Sequence, residues 1–308
     1  MQHAARKKRS LKKFIKDNWV GAVFVAPVFI GIAVFTAWPM LQSLYFSFFS
    51  EYNVISPPTG FGLLNLRRMF VYDDDLWKAI GVTFTYAVIN VPLTMVLSFM
   101  LAVLLNRKHK GIGVYRVLIY LPVIIPVTVN GLLWRNVTDV QYGIANKFLT
   151  TLGLPASTFF EEAASCMPSF IILGLWSLGG GMILWLSSLK NVPQELYEAA
   201  EIDGANAAVR LFRITIPMCT PMIFYNLVMN IIGALQTFGT VYTLTGGSSG
   251  KDNALLFWMM KIYNDAFDIN GATMGYACAV SWLLFFVIAI LTAVVFKTSR
   301  WVFYGEEA

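Results

Sequence analysis

The sequence predicts an all-α, polytopic membrane protein: six transmembrane helices, with a cytoplasmic helix–turn–helix between the fourth and the fifth. Three observations carry this fold class. Of the 308 residues 57% are hydrophobic and only 13% are charged, whereas an ordinary soluble domain carries about a quarter charged residues. Every charged residue falls outside six windows, at 18–50, 79–106, 117–134, 163–189, 214–250 and 269–296, and a bilayer core needs roughly 20 apolar residues per helix. The segments between the windows also alternate in charge. With the N-terminus inside, segments 1–17, 107–116, 190–213 and 297–308 hold 16 of the 23 Lys and Arg, and the outside segments hold 10 of the 17 Asp and Glu. Lys and Arg accumulate on the cytoplasmic side, so both termini are expected there.

The elements follow in order. Residues 1–18 read as a basic cytoplasmic tail carrying Arg6-Lys7-Lys8-Arg9, Lys12, Lys13 and Lys16. The apolar run behind it is too long for the core of a signal peptide, so 19–50 reads as a retained first transmembrane helix. Residues 51–78 form an external loop with Pro57-Pro58-Thr59-Gly60 and the acidic run Asp73-Asp74-Asp75. A five-helix core occupies 79–297. Within it the window 117–134 has the minimum length and contains Leu121-Pro122 and Ile125-Pro126, which predicts a kinked helix. After Tyr142-Gly143, the residues Ile144, Phe148 and Leu149 form an amphipathic pattern, read as a short surface helix. The outside segment 242–268 opens with Gly246-Gly247-Ser248-Ser249-Gly250 and continues as a helix rich in Leu, Phe, Trp and Met. Residues 298–308 form a second cytoplasmic tail.

Several functional classes are excluded. The three cysteines, Cys166, Cys219 and Cys278, show no CxxC spacing, and the only histidines are His3 and His109, so no metal site is expected. Cys166 and Cys278 lie in or near outward-facing segments, where a disulfide is conceivable, but small apolar filler is the preferred reading. The stretch Gly246 to Lys251 superficially resembles a phosphate loop. Its glycine spacing is wrong, and Asp252 stands where Ser or Thr should bind magnesium. No window contains Asp, Glu or His, so neither a proton relay nor a catalytic pair is available inside the membrane. An ion-coupled carrier and a membrane-embedded enzyme are the competing classes, and both lack the groups they commonly use. The net charge of +6 is distributed as membrane topology requires and implies no nucleic-acid partner.

The loop at 191–217 is the most informative stretch. Pro193 suits a first helical turn, and Glu195 favours the positive end of the helix dipole. Leu196, Ala199 and Ala200 share a face, and Gly204 can take positive φ and stop the helix. A second short helix fits 205–212. A helix resting on anionic lipid would carry Lys and Arg on its polar face. This one carries Glu195, Glu198, Glu201 and Asp203 and no basic residue, which favours protein docking. Two polar stripes suggest a solute path: Asn226, Asn230, Gly233 and Thr237 in the fifth window, and Leu173, Trp176, Ser177 and Gly180 in the fourth. Gln236 lies off the first stripe and is a further candidate, as is Trp134. Amides suit sugar hydroxyls and aromatic faces suit sugar C–H surfaces. The same residues also serve as helix-packing positions.

Glu198-Ala199-Ala200, three residues, Gly204, nine residues, Ile214, one residue and Ile216-Pro217 resembles the EAA signature of the permeases of binding-protein-dependent ABC importers, with Ile216 in place of the usual Leu. Tyr120 to Pro126, Gly131 to Arg135, Gly143 to Asn146 and Gln236 to Gly239 are similar to the carbohydrate branch of that family, the glycerol-phosphate, multiple-sugar and maltose permeases. The resemblance implies a MetI-like core that imports a sugar or oligosaccharide across a bacterial plasma membrane. It implies a heterodimer with a second homologous permease, two separate ATPase subunits that use ATP and magnesium, and an extracellular solute-binding protein. It implies that Glu195, Glu198, Ala199, Ala200, Asp203, Gly204, Ile214 and Pro217 couple the chain to the ATPase. This chain would itself bind no cofactor and catalyse no reaction.

Overall fold

In a computed structural model the chain is described over residues 11–53, 55–107, 110–267 and 273–303. The basic run at Arg6–Arg9 and the last residues of the C-terminal tail lie outside these segments. Helix α1 (Leu11–Ile32), a π turn (Ala33–Ala37) and α2 (Trp38–Phe46) form one rod, which begins within the expected basic tail and is uncharged from Asn18 on. The π turn has a local cause: Pro39 has no N–H to give the carbonyl four residues back, and Trp38 N–H bonds Ala33 O instead. The apolar window in Trp19–Phe46 buries none of its residues within this chain. Its far end is tied down where Trp282 Nε1 donates to Ser43 Oγ at 3.0 Å.

The connection after it is more ordered than a loop. Strands β1 (Phe49–Glu51) and β2 (Thr59–Phe61) pair antiparallel. Asn65, in α3 (Leu64–Val71), clamps the chain by donating to Ser47 O and Phe49 O. Helix α4 (Asp74–Leu105) begins five residues before the uncharged window. The acidic run is its start: Asp73 caps it by accepting from Leu76 N–H at 3.0 Å, and Asp74 and Asp75 fill its first turn.

The window at 117–134 departs most from expectation. It is not a kinked helix but two helices, α5 (Ile112–Ile124) and α6 (Val127–Val137), set at 100°. Pro126 forces Ile125 into an extended conformation (φ −69, ψ 125), which ends α5 outright. The short surface helix is present as α7 (Ile144–Thr151). The fourth window is also broken: α8 (Ala163–Leu175) and α9 (Gly179–Lys190) meet at 43°. A side chain at Gly179 would strike the backbone of Ile119 and Tyr120, so glycine lets α9 lie against α5.

The connecting loop folds as α10 (Gln194–Ile202) and α11 (Ala207–Arg210), followed by a π turn (Leu211–Thr215) and α12 (Ile216–Met218). Pro193 stands just before the first helical residue rather than inside the turn. The chain then bends by 68° into α13 (Thr220–Leu235). Next come α14 (Gly239–Thr245), a 3-10 turn (Lys251–Asn253), α15 (Trp258–Phe267), α16 (Met274–Lys297) and a closing 3-10 turn (Ser299–Trp301). Three rods are continuous, and three bent pairs bring the crossings to six when each pair counts as one. All three cysteines are free thiols, and Cys166 and Cys219 are buried as apolar filler.

Two apolar cores hold the bundle. One surrounds Leu76, Tyr86, Phe170, Phe257, Trp258 and Tyr276, at the end where α4 begins. The other, around Ala102, Met182, Trp185 and Leu189, lies where α4 ends. The first end also contains a charged cluster. Lys261 Nζ lies 3.0 Å from Asp73 and 2.7 Å from Asp265, Tyr276 OH donates to Asp73, and the Arg68 guanidinium sits 4.2 Å over the Tyr276 ring. Burial pushes the Asp73 carboxyl up, but the hydrogen bonds from Tyr276 and Lys261 outweigh it and leave the pKa below its ordinary value. At Asp265 burial prevails over Lys261, and the pKa is raised.

Candidate functional site: a polar cavity and an exposed loop

Between the two cores α4 presents Tyr86, Asn90, Thr94 and Ser98, four polar residues at a spacing of four and so on one helix face. They face Asn226, Asn230 and Gly233 of α13, Thr237 just past its end, Ser177 in the break between α8 and α9, and Gly181 in the first turn of α9. Together these residues line a cavity of about 380 Å³. Among the described residues its wall holds no Asp, Glu, Lys, Arg or His. Glycines allow the close approach: a side chain at Gly174 would meet Asn90 Oδ1 at 2.9 Å, and one at Gly181 would meet Ser98 Oγ at 3.1 Å.

Some of these polar groups are already satisfied. Asn226 Nδ2 donates to Met222 O, Asn230 Nδ2 to Asn226 O, and Trp185 Nε1 to Ser98 Oγ. Asn90 Oδ1 and Thr94 Oγ1 are buried with no partner among the described residues. A buried polar atom left unpaired costs about 1–3 kcal/mol, so native structures rarely keep one without a use. The amide oxygens of Asn226 and Asn230, together with these two atoms, form a set of neutral donors and acceptors suited to hydroxyl groups.

The stripe read in the fifth window therefore reaches the cavity intact, as does Ser177. Trp176, Gly180, Gln236 and Trp134 are not in its wall. The break after Leu175 turns α9 relative to α8, so Gly181 rather than Gly180 faces the space. Gly180 packs toward Val123, and Trp176 lies edge-on to Trp134 with ring centroids 5.8 Å apart. Gln236 caps the end of α13, exposed. The α4 stripe was missed, although its repeat of four is plain in the sequence.

The exposed loop has the opposite character. Helix α10 buries none of its residues. Glu195, Glu198, Ala199 and Asp203 are exposed, and so is Ile202, 88% of it. The inner side is held by Tyr197 OH bonded to Thr215 Oγ1 at 2.9 Å and by Arg210 paired with Glu201 at 3.3 Å. Gly204 ends the helix at φ +74. Ala205 N–H reaches Ala200 O and Gly204 N–H reaches Glu201 O, so the two bonds of a Schellman motif are complete. Ile214 and Pro217 are elsewhere: Ile214 packs on the second core and Pro217 opens α12. They fix the root of the loop instead of its exposed face.

Comparison with known proteins agrees with this architecture. The chain is 38% identical over 307 residues to the probable ABC transporter permease protein YesP of Bacillus subtilis, covering 99% of this chain and 97% of that protein. It is 31% identical over 301 residues to the lactose transport system permease protein LacF of Rhizobium radiobacter, covering 96% and 99%. A subunit in the crystal structure of a bacterial alginate ABC transporter, in complex with an alginate pentasaccharide-bound periplasmic protein, has the same fold. Its TM-score is 0.82 at 22% identity, over 95% of this chain and 98% of that one. The model of the binding-protein-dependent transport system inner membrane component matches residues 94–300, and the chain belongs to that family, the membrane-spanning permeases of ABC importers.

Proposed function

We propose that this chain is one of two permease subunits of a sugar importer in a bacterial plasma membrane and that it admits a neutral sugar or oligosaccharide. The carrying observation is the uncharged cavity walled by Asn90, Thr94, Asn226 and Asn230. Relatives carry the names of lactose, trehalose/maltose and arabinooligosaccharide systems, and also of sulfoquinovosyl glycerol and sn-glycerol-3-phosphate systems. A sulfonate or phosphate would call for a cation, and the cavity wall supplies none among the described residues. Tyr225 and Met229 on its rim are exposed, which supports a path completed by a second, homologous permease.

In this reading both termini and α10 face the cytoplasm, and residues 193–217 dock on one of two ATPase subunits that use ATP and magnesium. An extracellular binding protein delivers the sugar at the α3–α15 end. Closure of the ATPase pair drives the paired loops together and reorients the spans around the cavity. The test is uptake of labelled sugars by the reconstituted transporter. Asn90→Leu and Asn230→Leu should each lower uptake at least tenfold while ATP hydrolysis continues. Unchanged uptake in both, or transport of anionic sugars alone, would overturn the assignment.

A further inference from the structure

A second cavity, of about 520 Å³, lies where α4 ends, walled by Val103, Leu189 and Leu211 and by Tyr197, Arg107 and Arg210. Its position is the level at which the apolar stretch of α4 gives way to Asn106 and Arg107, the depth of lipid headgroups at a membrane surface. Its composition is divided. Aliphatic side chains from α4, α9 and the π turn form one part, and two guanidinium groups stand at the other. Arg210 is already paired with the exposed Glu201. Arg107 is exposed and has no ion pair among the described residues. Arg116 does not compete, because its guanidinium donates to Leu105 O at 2.6 Å and ties off the last turn of α4. The site thus retains about one uncompensated positive charge beside an apolar slot.

That combination selects against a free hydrated anion, which gains nothing from an aliphatic wall, and against a zwitterionic lipid, whose choline offsets the phosphate charge that would answer Arg107. Basic pockets between transmembrane helices at the cytoplasmic surface suit anionic headgroups, and the cavity has room for a headgroup and the first part of one acyl chain, the rest of the lipid lying in the bilayer. We propose that the cavity holds one anionic phospholipid, its phosphate between Arg107 and Arg210 and one acyl chain along Val103, Leu189 and Leu211. The lipid would touch α4, α9, α10 and α11 together, and so brace the loop against the bundle. The assignment requires only that this end of the bundle lie at a membrane surface, not that the loop couple to an ATPase.

The purified full-length chain in detergent, exposed to phosphatidylglycerol or phosphatidylcholine and examined by native mass spectrometry, tests the proposal with no ATPase present. One phosphatidylglycerol per chain should be retained in preference to phosphatidylcholine. Arg107→Gln should weaken retention about fivefold, the loss expected for one basic residue near a membrane surface, and Arg107→Lys should largely restore it. Ala208→Phe, which fills the slot and leaves both arginines in place, should also displace the lipid. Equal retention of the two lipids, retention unchanged in Arg107→Gln and Ala208→Phe, or displacement by an equimolar amount of inorganic phosphate would overturn it.

Discussion

The two ends of this bundle are built on different principles. At the α3–α15 end, charge is buried: Lys261, Asp73, Asp265 and Tyr276 close a compact cluster, and Trp258 N–H donates to Thr83 Oγ1 at 2.8 Å beside a large aromatic core. At the α10 end, charge is displayed: Glu195, Glu198 and Asp203 face outward from a helix that buries nothing. One hydroxyl pair, one partly exposed ion pair and a glycine turn hold that helix in place. A buried ion cluster tolerates little rearrangement, since each group depends on the others. An exposed helix on a defined root can instead be pulled as a unit. The contrast makes the α3–α15 end the rigid frame and the α10 end the readily displaced part, with the neutral cavity between them; under the proposed function the displaced part is what the ATPase grips.

Breaking the frame should have the largest effect. Lys261→Met leaves two carboxylates buried without their cation, and removing one partner of such a set costs about 3–5 kcal/mol. The unfolding midpoint of the detergent-solubilised chain should fall by several degrees or more. The two carboxylates should then separate by pH. The Asp73 pKa is depressed, so its stabilisation is present above the ordinary carboxylate value and is lost as pH falls through the folded one. The Asp265 pKa is raised, so its contribution is full below the ordinary value and fades as pH rises through the folded one. The penalty of Asp73→Asn should therefore shrink on acidification, and that of Asp265→Asn should shrink on going from acid to neutral pH. Melting curves across pH that run parallel for the two variants would contradict the cluster as described.

At the other end the effects on folding should be small. A side chain at Gly204 meets nothing within 4 Å, so Gly204→Ala is penalised only by its left-handed backbone, about 1–2 kcal/mol. That strain falls on the turn after α10, and it should lower ATP-driven uptake while the global unfolding midpoint moves little. A large fall in midpoint would mean that the loop belongs to the frame.

Much of this contrast was legible in the sequence, and the exceptions have physical causes. The uncharged windows marked the spans because lipid cannot solvate charge, and the spacing from Glu198 to Pro217 marked the loop. Asp73-Asp74-Asp75 looked like loop because acidic runs are polar, yet the positive end of a helix uses them as a cap. Pro126 was legible as an interruption, but the 100° angle depends on the surfaces that α5 and α6 meet, which no local pattern contains. Trp176 and Gly180 share a stripe with Ser177 only if the window is one continuous helix, and with the break after Leu175 they do not line the cavity that Ser177 lines. The repeat of four from Tyr86 to Ser98 was available and needed only the same inspection given to α13. The Lys261 cluster joins residues 73, 261, 265 and 276, a closeness that only tertiary folding creates.

The smallest expected change in stability accompanies the most decisive loss of function. Glu198 is exposed and makes no ion pair among the described residues, so Glu198→Lys should alter folding by less than about 0.5 kcal/mol. Measured in the reconstituted transporter, ATP-driven sugar uptake should nevertheless collapse, and the ATPase should co-purify poorly with a chain that still inserts and melts normally. Full ATP-driven uptake with the ATPase still bound would contradict the assignment of α10 as the motor contact.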